Sequence, residues 1–284
     1  MESKTKGAWI VHHMNKLRQV TNVGEFETLN TAGKLGVLLS GLSASDQSTL
    51  TNSQVEAVAK AAGISRLELP TLLKQLGERR LIAAGTSGID VLGVASSAVL
   101  IHTAAVFDEA TPTSSELAVV DLAELVSTGP IDTNLAAEYI ADTYKLAKGE
   151  ATELLVQTEA IGFLDAEEID PGRKLLFNGN LFRRENAKKL EAVFGSLSAG
   201  DAAKVQEMEV LLKQNGCLTV DDARTTLGAE LFSKLQSIAM YDVSEVSNDS
   251  ESVLYVTRPG AFGKFGDPMA EDAMDLAKAR LLPV

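Results

Sequence analysis

Side chains that could perform catalysis or hold a metal ion are few in this chain, and they are widely spaced. The 284 residues include three histidines, His12, His13 and His102, and one cysteine, Cys217. Consecutive side chains on a helix point about 100° apart, so His12 and His13 cannot share one metal ion. A single cysteine excludes an internal disulfide and a cysteine-based metal cluster. These residues predict neither a metal site nor a nucleophile with its base, and we expect a protein that is not an enzyme.

Two other segments resemble ligand-binding motifs but lack their defining residues. Asp165, Glu167, Glu168 and Asp170 do not have calcium-loop spacing, with its glycine at the sixth position. The glycine-rich residues 260–266 lack the Lys-Ser/Thr ending of a phosphate-binding loop and the flanking helices of a GXXG RNA-binding domain. We therefore expect an exposed acidic hairpin and a connecting loop, with no cofactor.

Positive charge is concentrated in two clusters, which are the candidates for contact with nucleic acid. The first basic cluster comprises Arg66, Lys74, Arg79 and Arg80. The second basic cluster comprises Arg173, Lys174, Arg183, Arg184, Lys188 and Lys189. Nearby acids, Glu68 and Glu78 in one and Glu185 in the other, leave surpluses of two and five cations. Aromatic and amide side chains lie among the second cluster: Phe177, Asn178, Asn180 and Phe182.

The formal net charge of −13 arises in one stretch, residues 106–172, which we call the acidic segment. It contains fifteen Asp and Glu residues against Lys145 and Lys148, so the rest of the chain is neutral overall. Because phosphate contacts depend on local positive potential, any nucleic-acid surface must lie outside the acidic segment. The second basic cluster could equally be a solvated face or the partner of these carboxylates.

Local sequence signals predict the elements that must hold the first basic cluster. Apolar residues at helical spacing predict helices at residues 5–20 and 30–42. Capping residues at 50–54 open a short helix that ends near Gly63, and Ser65-Arg66-Leu67-Glu68 forms the capping box of the next helix. Residues 81–92 then predict a two-stranded hairpin with its turn at residues 85–88.

A helix, a tight turn, a second helix and a hairpin follow one another in winged-helix domains, and residues 30–94 resemble such a domain. The resemblance depends on this element order and on Gly63-Ile64-Ser65 as the interhelical turn. It implies that the second helix, with the first basic cluster, is a recognition helix that approaches a major groove. Cations on a wing and on the helix after it would contact phosphates, which carry no sequence information.

The same order of elements recurs twice along the chain. The predicted hairpins begin near Leu81, Phe163 and Tyr241, at intervals of 82 and 78 residues, which suggests duplicated modules. We therefore predict a mainly α fold with small β-hairpins, in which tandem winged-helix modules cover residues 1–112, 113–197 and 198–284. Apolar helices at Ser96–Glu109 and residues 186–197 join the modules, and a further helix at residues 269–282 belongs to the third.

Two functions remain open from the sequence. One is a DNA-binding, transcription-regulator-like protein, in which the first module and the second basic cluster contact double-stranded DNA. The other is a winged-helix interaction subunit of a larger complex, without DNA contact, which binds a protein partner or a second copy of itself through the acidic segment. Because no apolar run approaches the roughly 20 residues of a membrane span and the N-terminus lacks a signal-peptide cleavage site, we expect a cytoplasmic location.

Overall fold

A computed structural model describes residues 1–20, 24–45, 49–85, 88–178, 184–247, 252–259 and 265, without the side chains of residues 96, 97 and 184–187. The helix expected at residues 269–282 and the glycine-rich loop, apart from Phe265, lie outside these residues. Within them no helix is long and apolar enough to cross a membrane.

The described part of the chain is mainly helical with small antiparallel sheets, which confirms the predicted fold class. The helices are α1 Ser3–Leu17, α2 Glu27–Ser43, α3 Asn52–Ala61, α4 Leu69–Glu78, α5 Ser96–Glu109, α6 Ser114–Ser127, α7 Thr133–Tyr144, α8 Lys148–Ile161, α9 Arg184–Gly195, α10 Ala199–Asn215, α11 Val220–Leu227 and α12 Ala229–Ser237. The strands are β1 Thr49–Leu50, β2 Ile82–Ala84, β3 Ile89–Val91, β4 Ile131–Asp132, β5 Asp165–Asp170, β6 Arg173–Phe177, β7 Leu218–Thr219, β8 Asp242–Ser247 and β9 Ser252–Thr257.

One topology occurs three times. In each case a helix is followed by a two-residue strand, two further helices and a hairpin. The short strand pairs with the last strand of the hairpin, which gives the sheet orders β1-β3-β2, β4-β6-β5 and β7-β9-β8. The hairpins agree with the sequence prediction, whereas the short strands were not predicted, because two residues are too few to show an alternating pattern.

The capping boxes that place α3 and α4 form as the sequence predicts. The Thr51 hydroxyl accepts the amide of Gln54, whose side chain accepts the amide of Thr51. Ser65 and Glu68 exchange the same pair of bonds, at 3.3 and 3.0 Å. Pro70 follows in the first turn of α4, where its missing N–H has no intrahelical acceptor to lose. The box at Thr51 therefore caps α3 directly, whereas the box at Ser65 closes the turn that precedes α4, whose first residue is Leu69.

Close helix contacts build the core around α1, α2 and α5. A Cβ atom on Gly33 would lie 2.4 Å from the Cβ atom of Met14, and one on Gly36 would lie 2.2 Å from the Thr103 hydroxyl oxygen. Glycine is therefore required where α2 approaches α1 and α5. Trp9 of α1 is fully buried in this region, as the apolar periodicity predicts.

The chain divides into two compact units. The first includes Met1–Leu122 and Ile140–Phe163, and the second includes Ala123–Tyr139 and Leu164–Gly263. The first predicted module lies wholly in the first unit, whereas residues 113–197 contribute to both units. In the second unit the apolar side of the α10–α12 helices packs on β9 and on Phe177.

Candidate nucleic-acid interface

Helices α3 and α4 position the first basic cluster. The turn between them contains Gly63, whose φ of 70° requires the left-handed region that glycine adopts without strain. Leu69, Leu72 and Leu76 bury one side of α4, so the opposite side faces solvent. Of the first basic cluster, Lys74 therefore lies on the exposed side of α4, while Arg66 precedes this helix and Arg79 and Arg80 follow it.

Arg66 and Lys74 are the most accessible cations of the first basic cluster. Their side chains are 90% and 77% exposed, and their nearest carboxylates, on Glu56 and Glu78, lie 3.7 and 3.8 Å away. Such exposed pairs contribute about 0–1 kcal/mol, so a ligand phosphate can replace either carboxylate at little cost.

The two arginines that follow α4 differ from each other. Arg79 is 27% exposed, and its Nη2 donates to Glu109 at 2.9 Å, while Nη1 donates to the Gln75 carbonyl. Arg80 is exposed and has a positive φ of 57°. Arg79 is therefore bonded to α5, whereas the exposed side chain of Arg80 is accessible to a ligand.

Two lysines that the sequence analysis did not assign to the cluster change its charge. Lys34 of α2 donates to Glu68 at 2.5 Å, and this bond, with one from the Ser65 hydroxyl, lowers the pKa of Glu68 to about 2. Lys60 of α3 is exposed beside Arg66, where both line a cavity of about 280 Å³. Lys34 and Lys60 lie on α2 and α3, and the packing of the helices brings them to the cluster. The residues of the cluster alone do not reveal them.

The second basic cluster differs from the first, because Arg173 forms several ion pairs within the chain. Its guanidinium lies 2.5 Å from Glu191, 3.2 Å from Asp132 and 3.7 Å from Asp170. Hydrogen bonds to Glu191 and then Asp132 raise the pKa of Arg173. The arginine thus joins β6 to α9 and to Asp132 of β4, which also accepts the amide of Asn134 in α7.

The remaining residues of the second basic cluster have mixed positions. Lys188 of α9 lies 2.7 Å from Glu167 of β5, and Lys174 and Lys189 are exposed. Arg183 lies outside the described residues, and the side chain of Arg184 is not described. Phe177 and Asn178 are buried, so neither is available to stack on or bond to a base, while Asn180 and Phe182 lie outside the described residues.

His13 is buried in the first unit. Its ring stacks on Phe163 at 4.2 Å between centroids, and Nε2 donates to the Val119 carbonyl at 3.2 Å. Burial, reinforced by His12, lowers the pKa of His13 to about 3. Nowhere in the described chain do three or more His, Cys, Asp or Glu residues come together as metal ligands.

Comparisons with protein-family models, with curated proteins and with solved structures find no match to this chain. Any functional assignment therefore depends on the geometry described above.

Proposed function

We propose that this protein is a tandem winged-helix protein that binds double-stranded DNA through the exposed side of α3 and α4. The observation that carries the proposal is the exposure of Lys60, Arg66, Lys74 and Arg80 on this helix pair. The threefold topology supports the winged-helix assignment, because helix, short strand, two helices and hairpin is the order of that fold. A transcription-regulator role and a cytoplasmic location belong to the same proposal.

The dimensions of α4 suit this use. An α-helix with its side chains is about 10–12 Å across, which a major groove about 12 Å wide admits, and the ten residues of α4 extend about 15 Å. Thr71 and Lys74 are exposed and lie one turn apart on the outer side of α4, where they can reach base edges. Lys60, Arg66 and Arg80 flank that side and are suited to phosphates.

The interface is small. Four cations, two of them loosely paired with Glu56 and Glu78, predict about two to four phosphate contacts and a slope of log affinity against log salt of about −2 to −4. The dissociation constant for duplex of random sequence should be on the order of micromolar at low salt and should rise steeply with salt.

A fluorescence-anisotropy titration with a random duplex tests the proposal. We expect saturable binding at low salt, with the affinity falling along that slope as sodium chloride is added. The same titration with the polyanion heparin shows whether the surface binds any dense negative charge or prefers the shape of a duplex. Absence of duplex binding at micromolar protein and low salt would refute the proposed function.

A second function, binding of a protein partner without DNA, is favoured by one specific observation. Arg79, Arg173 and Lys188 pair with carboxylates of the acidic segment, on Glu109, Asp132 and Glu167. Those pairs reduce the number of cations available to phosphates, and the acidic segment retains many more carboxylates for a basic partner or a second copy. Light scattering across a range of protein concentrations and salt tests self-association.

A further inference from the structure

Arg18 belongs to neither basic cluster, yet the fold brings it to the turn between α3 and α4. It directly follows the last residue of α1, and its amide donates to the Met14 carbonyl at 3.1 Å. Leu17, the residue before it, is buried in the core. The point from which the Arg18 side chain extends is therefore fixed, although the turn that it reaches is about 45 positions further along the chain.

The guanidinium of Arg18 packs on Gly63. A Cβ atom on Gly63 would lie 2.4 Å from Nη2, 2.7 Å from Nε and 2.8 Å from Cζ of Arg18, which is closer than real Cβ atoms come to other atoms. The Gly63 amide donates to the Lys60 carbonyl at 3.0 Å, and the Ile64 amide donates to the Ala59 carbonyl at 2.8 Å, which closes α3 as a Schellman motif. Glycine at this position therefore both ends α3 and leaves room for the guanidinium.

The charge of Arg18 is not neutralised by a nearby carboxylate. Arg18 is exposed, and no carboxylate of the described residues forms an ion pair with it. The partial negative charge at the C-terminal end of α3 favours a cation at this place, but it leaves the N–H donors of the guanidinium accessible. These donors match the oxygens of a phosphate in a bidentate geometry. Arg18 therefore differs from Arg79 and Arg173, whose donors already bind carboxylates.

Gly63 lies midway between two exposed cations of the proposed DNA-binding surface. Lys60 precedes it by three residues and Arg66 follows it by three. Three residues extend at most about 11 Å, so both cations originate close to the guanidinium that packs on Gly63. Each strand of a duplex carries a phosphate about every 3.4 Å along the helix axis. Neighbouring phosphates can therefore contact these cations and Arg18 at the same time.

We propose that Arg18, packed on Gly63, binds a backbone phosphate of duplex DNA beside the phosphates that contact Lys60 and Arg66. This inference rests on the proposed function, and it adds to that surface a residue from outside the α3–α4 helix pair. Phosphates carry no sequence information, so Arg18 contributes affinity for every duplex and no preference among sequences.

The test uses the full chain, a duplex of random sequence and anisotropy titrations over a range of salt concentrations. Arg18→Gln removes the charge at an exposed position. Lys4→Gln is the matched control, because it removes one charge from an exposed residue of the same helix, fourteen residues or about 21 Å away along the axis. Arg66→Gln reports separately on the α3–α4 side. Thermal unfolding of each variant is measured alongside.

Gly63→Ala tests the position of the guanidinium without removing its charge. The added Cβ atom would displace the end of the Arg18 side chain. If this substitution acts through Arg18, it should weaken duplex binding in the parent but have little further effect in Arg18→Gln, since the two changes then remove the same contact. Additive losses would show that Gly63→Ala alters the turn itself and would overturn the role given to Gly63. Arg18→Gln decides the phosphate contact even if Gly63→Ala does not fold.

We expect Arg18→Gln to weaken duplex binding about eightfold at 0.1 M salt and to flatten the slope of log affinity against log salt by about 0.9. Lys4→Gln should change the affinity less than about twofold and leave the slope unchanged. Equal losses in the two variants would overturn the proposal. So would a lower unfolding temperature of Arg18→Gln with parent-like affinity, because Arg18 would then only stabilise the end of α3. If Arg66→Gln weakens binding and Arg18→Gln does not, this inference alone fails, whereas absence of duplex binding by the parent refutes the proposed function as well.

Discussion

The two basic clusters contain the same residue types but differ in what surrounds them. On α3 and α4, Arg66 and Lys74 meet carboxylates only at 3.7 and 3.8 Å and remain mostly exposed. On β6 and α9, Arg173 and Lys188 are held by carboxylates at 2.5 and 2.7 Å. The second basic cluster has the larger surplus of cations in the sequence. Among the described residues, however, more of its cations are held in close ion pairs within the chain.

This difference shows that a count of charges along a sequence overestimates the potential available to a ligand. A cation that is hydrogen-bonded to two carboxylates in a network must give up those bonds before it can bind a phosphate, and together they are stronger than one loose pair. A cation in a loose, exposed pair loses almost nothing by changing partner. Surface potential therefore depends on contacts between residues far apart in the chain.

The largest effect is expected from charge reversal in the first basic cluster. Arg66→Glu with Lys74→Glu should weaken duplex binding about 100-fold at roughly 0.05 M salt, because each lost phosphate contact costs about tenfold under these conditions. The salt slope should also flatten by about 2. Because the proposed function places the exposed side of α4, with Lys74, in the groove, preference among duplex sequences should change as well.

Both substituted side chains are exposed, so the variant should unfold at the same temperature as the parent. If this folded variant bound duplex as tightly as the parent, the α3–α4 side would have no role in nucleic-acid binding. The two clusters would then no longer differ in this respect.

The next largest effect concerns the stability of the unit that carries the first basic cluster. His13 has its pKa lowered from 6.5 to about 3, so below pH 6.5 the unfolded chain binds a proton that the folded chain does not. Stability therefore falls as the pH falls from 6.5 towards 3. Between pH 7 and 5 the loss should be about 2 kcal/mol, at roughly 1.4 kcal/mol per pH unit below 6.5.

Urea unfolding at several pH values measures this loss. His13→Phe keeps an aromatic ring against Phe163 but cannot titrate, so its stability should change less over the same pH range. An unchanged pH dependence in His13→Phe would show that other groups cause the loss. Binding assays that compare the two clusters should accordingly be made above pH 6.5.

The sequence predicts a structural feature well when the residues that cause it are close together in the chain. The start of α3 and the turn before α4 follow from capping residues three positions apart, and α5 has the predicted bounds. The missed features all join distant residues. They include the pairing of β1 with β3, the Arg173–Asp132 contact across 41 positions and the Arg79–Glu109 contact across 30. No periodicity or spacing encodes which distant carboxylate a cation will meet.

A smaller effect is expected from Arg173, and it should be on stability. Arg173→Gln leaves Asp132, Asp170 and Glu191 near one another without their common cation, so the thermal midpoint should fall. Duplex affinity should stay within about twofold of the parent, since no phosphate contact is removed. Differential scanning calorimetry and the same anisotropy titration measure the two quantities.

Salt distinguishes the cause of this destabilisation. Added salt should stabilise Arg173→Gln relative to the parent, because it screens the repulsion among the three carboxylates. Glu191→Gln in the same chain should restore part of the midpoint by removing one of them. A large loss of duplex affinity in the folded Arg173→Gln protein would place the second basic cluster on the DNA after all.

The smallest effect is expected from Lys189→Glu, which is the matched control for charge. Lys189 is exposed on α9, and its reversal changes the net charge of the protein by the same amount as Lys74→Glu.

If duplex binding responded only to total charge, the two single substitutions would weaken it equally. If binding needs the α3–α4 side, Lys189→Glu removes no phosphate contact and changes only the overall charge, whose effect salt screens. At 0.1 M salt we therefore expect less than about a twofold loss, against roughly eightfold for Lys74→Glu at the same salt. Anisotropy titrations of both variants at matched salt decide between these cases. Equal losses would mean that the protein attracts DNA without a defined surface, and that exposure alone does not distinguish the clusters.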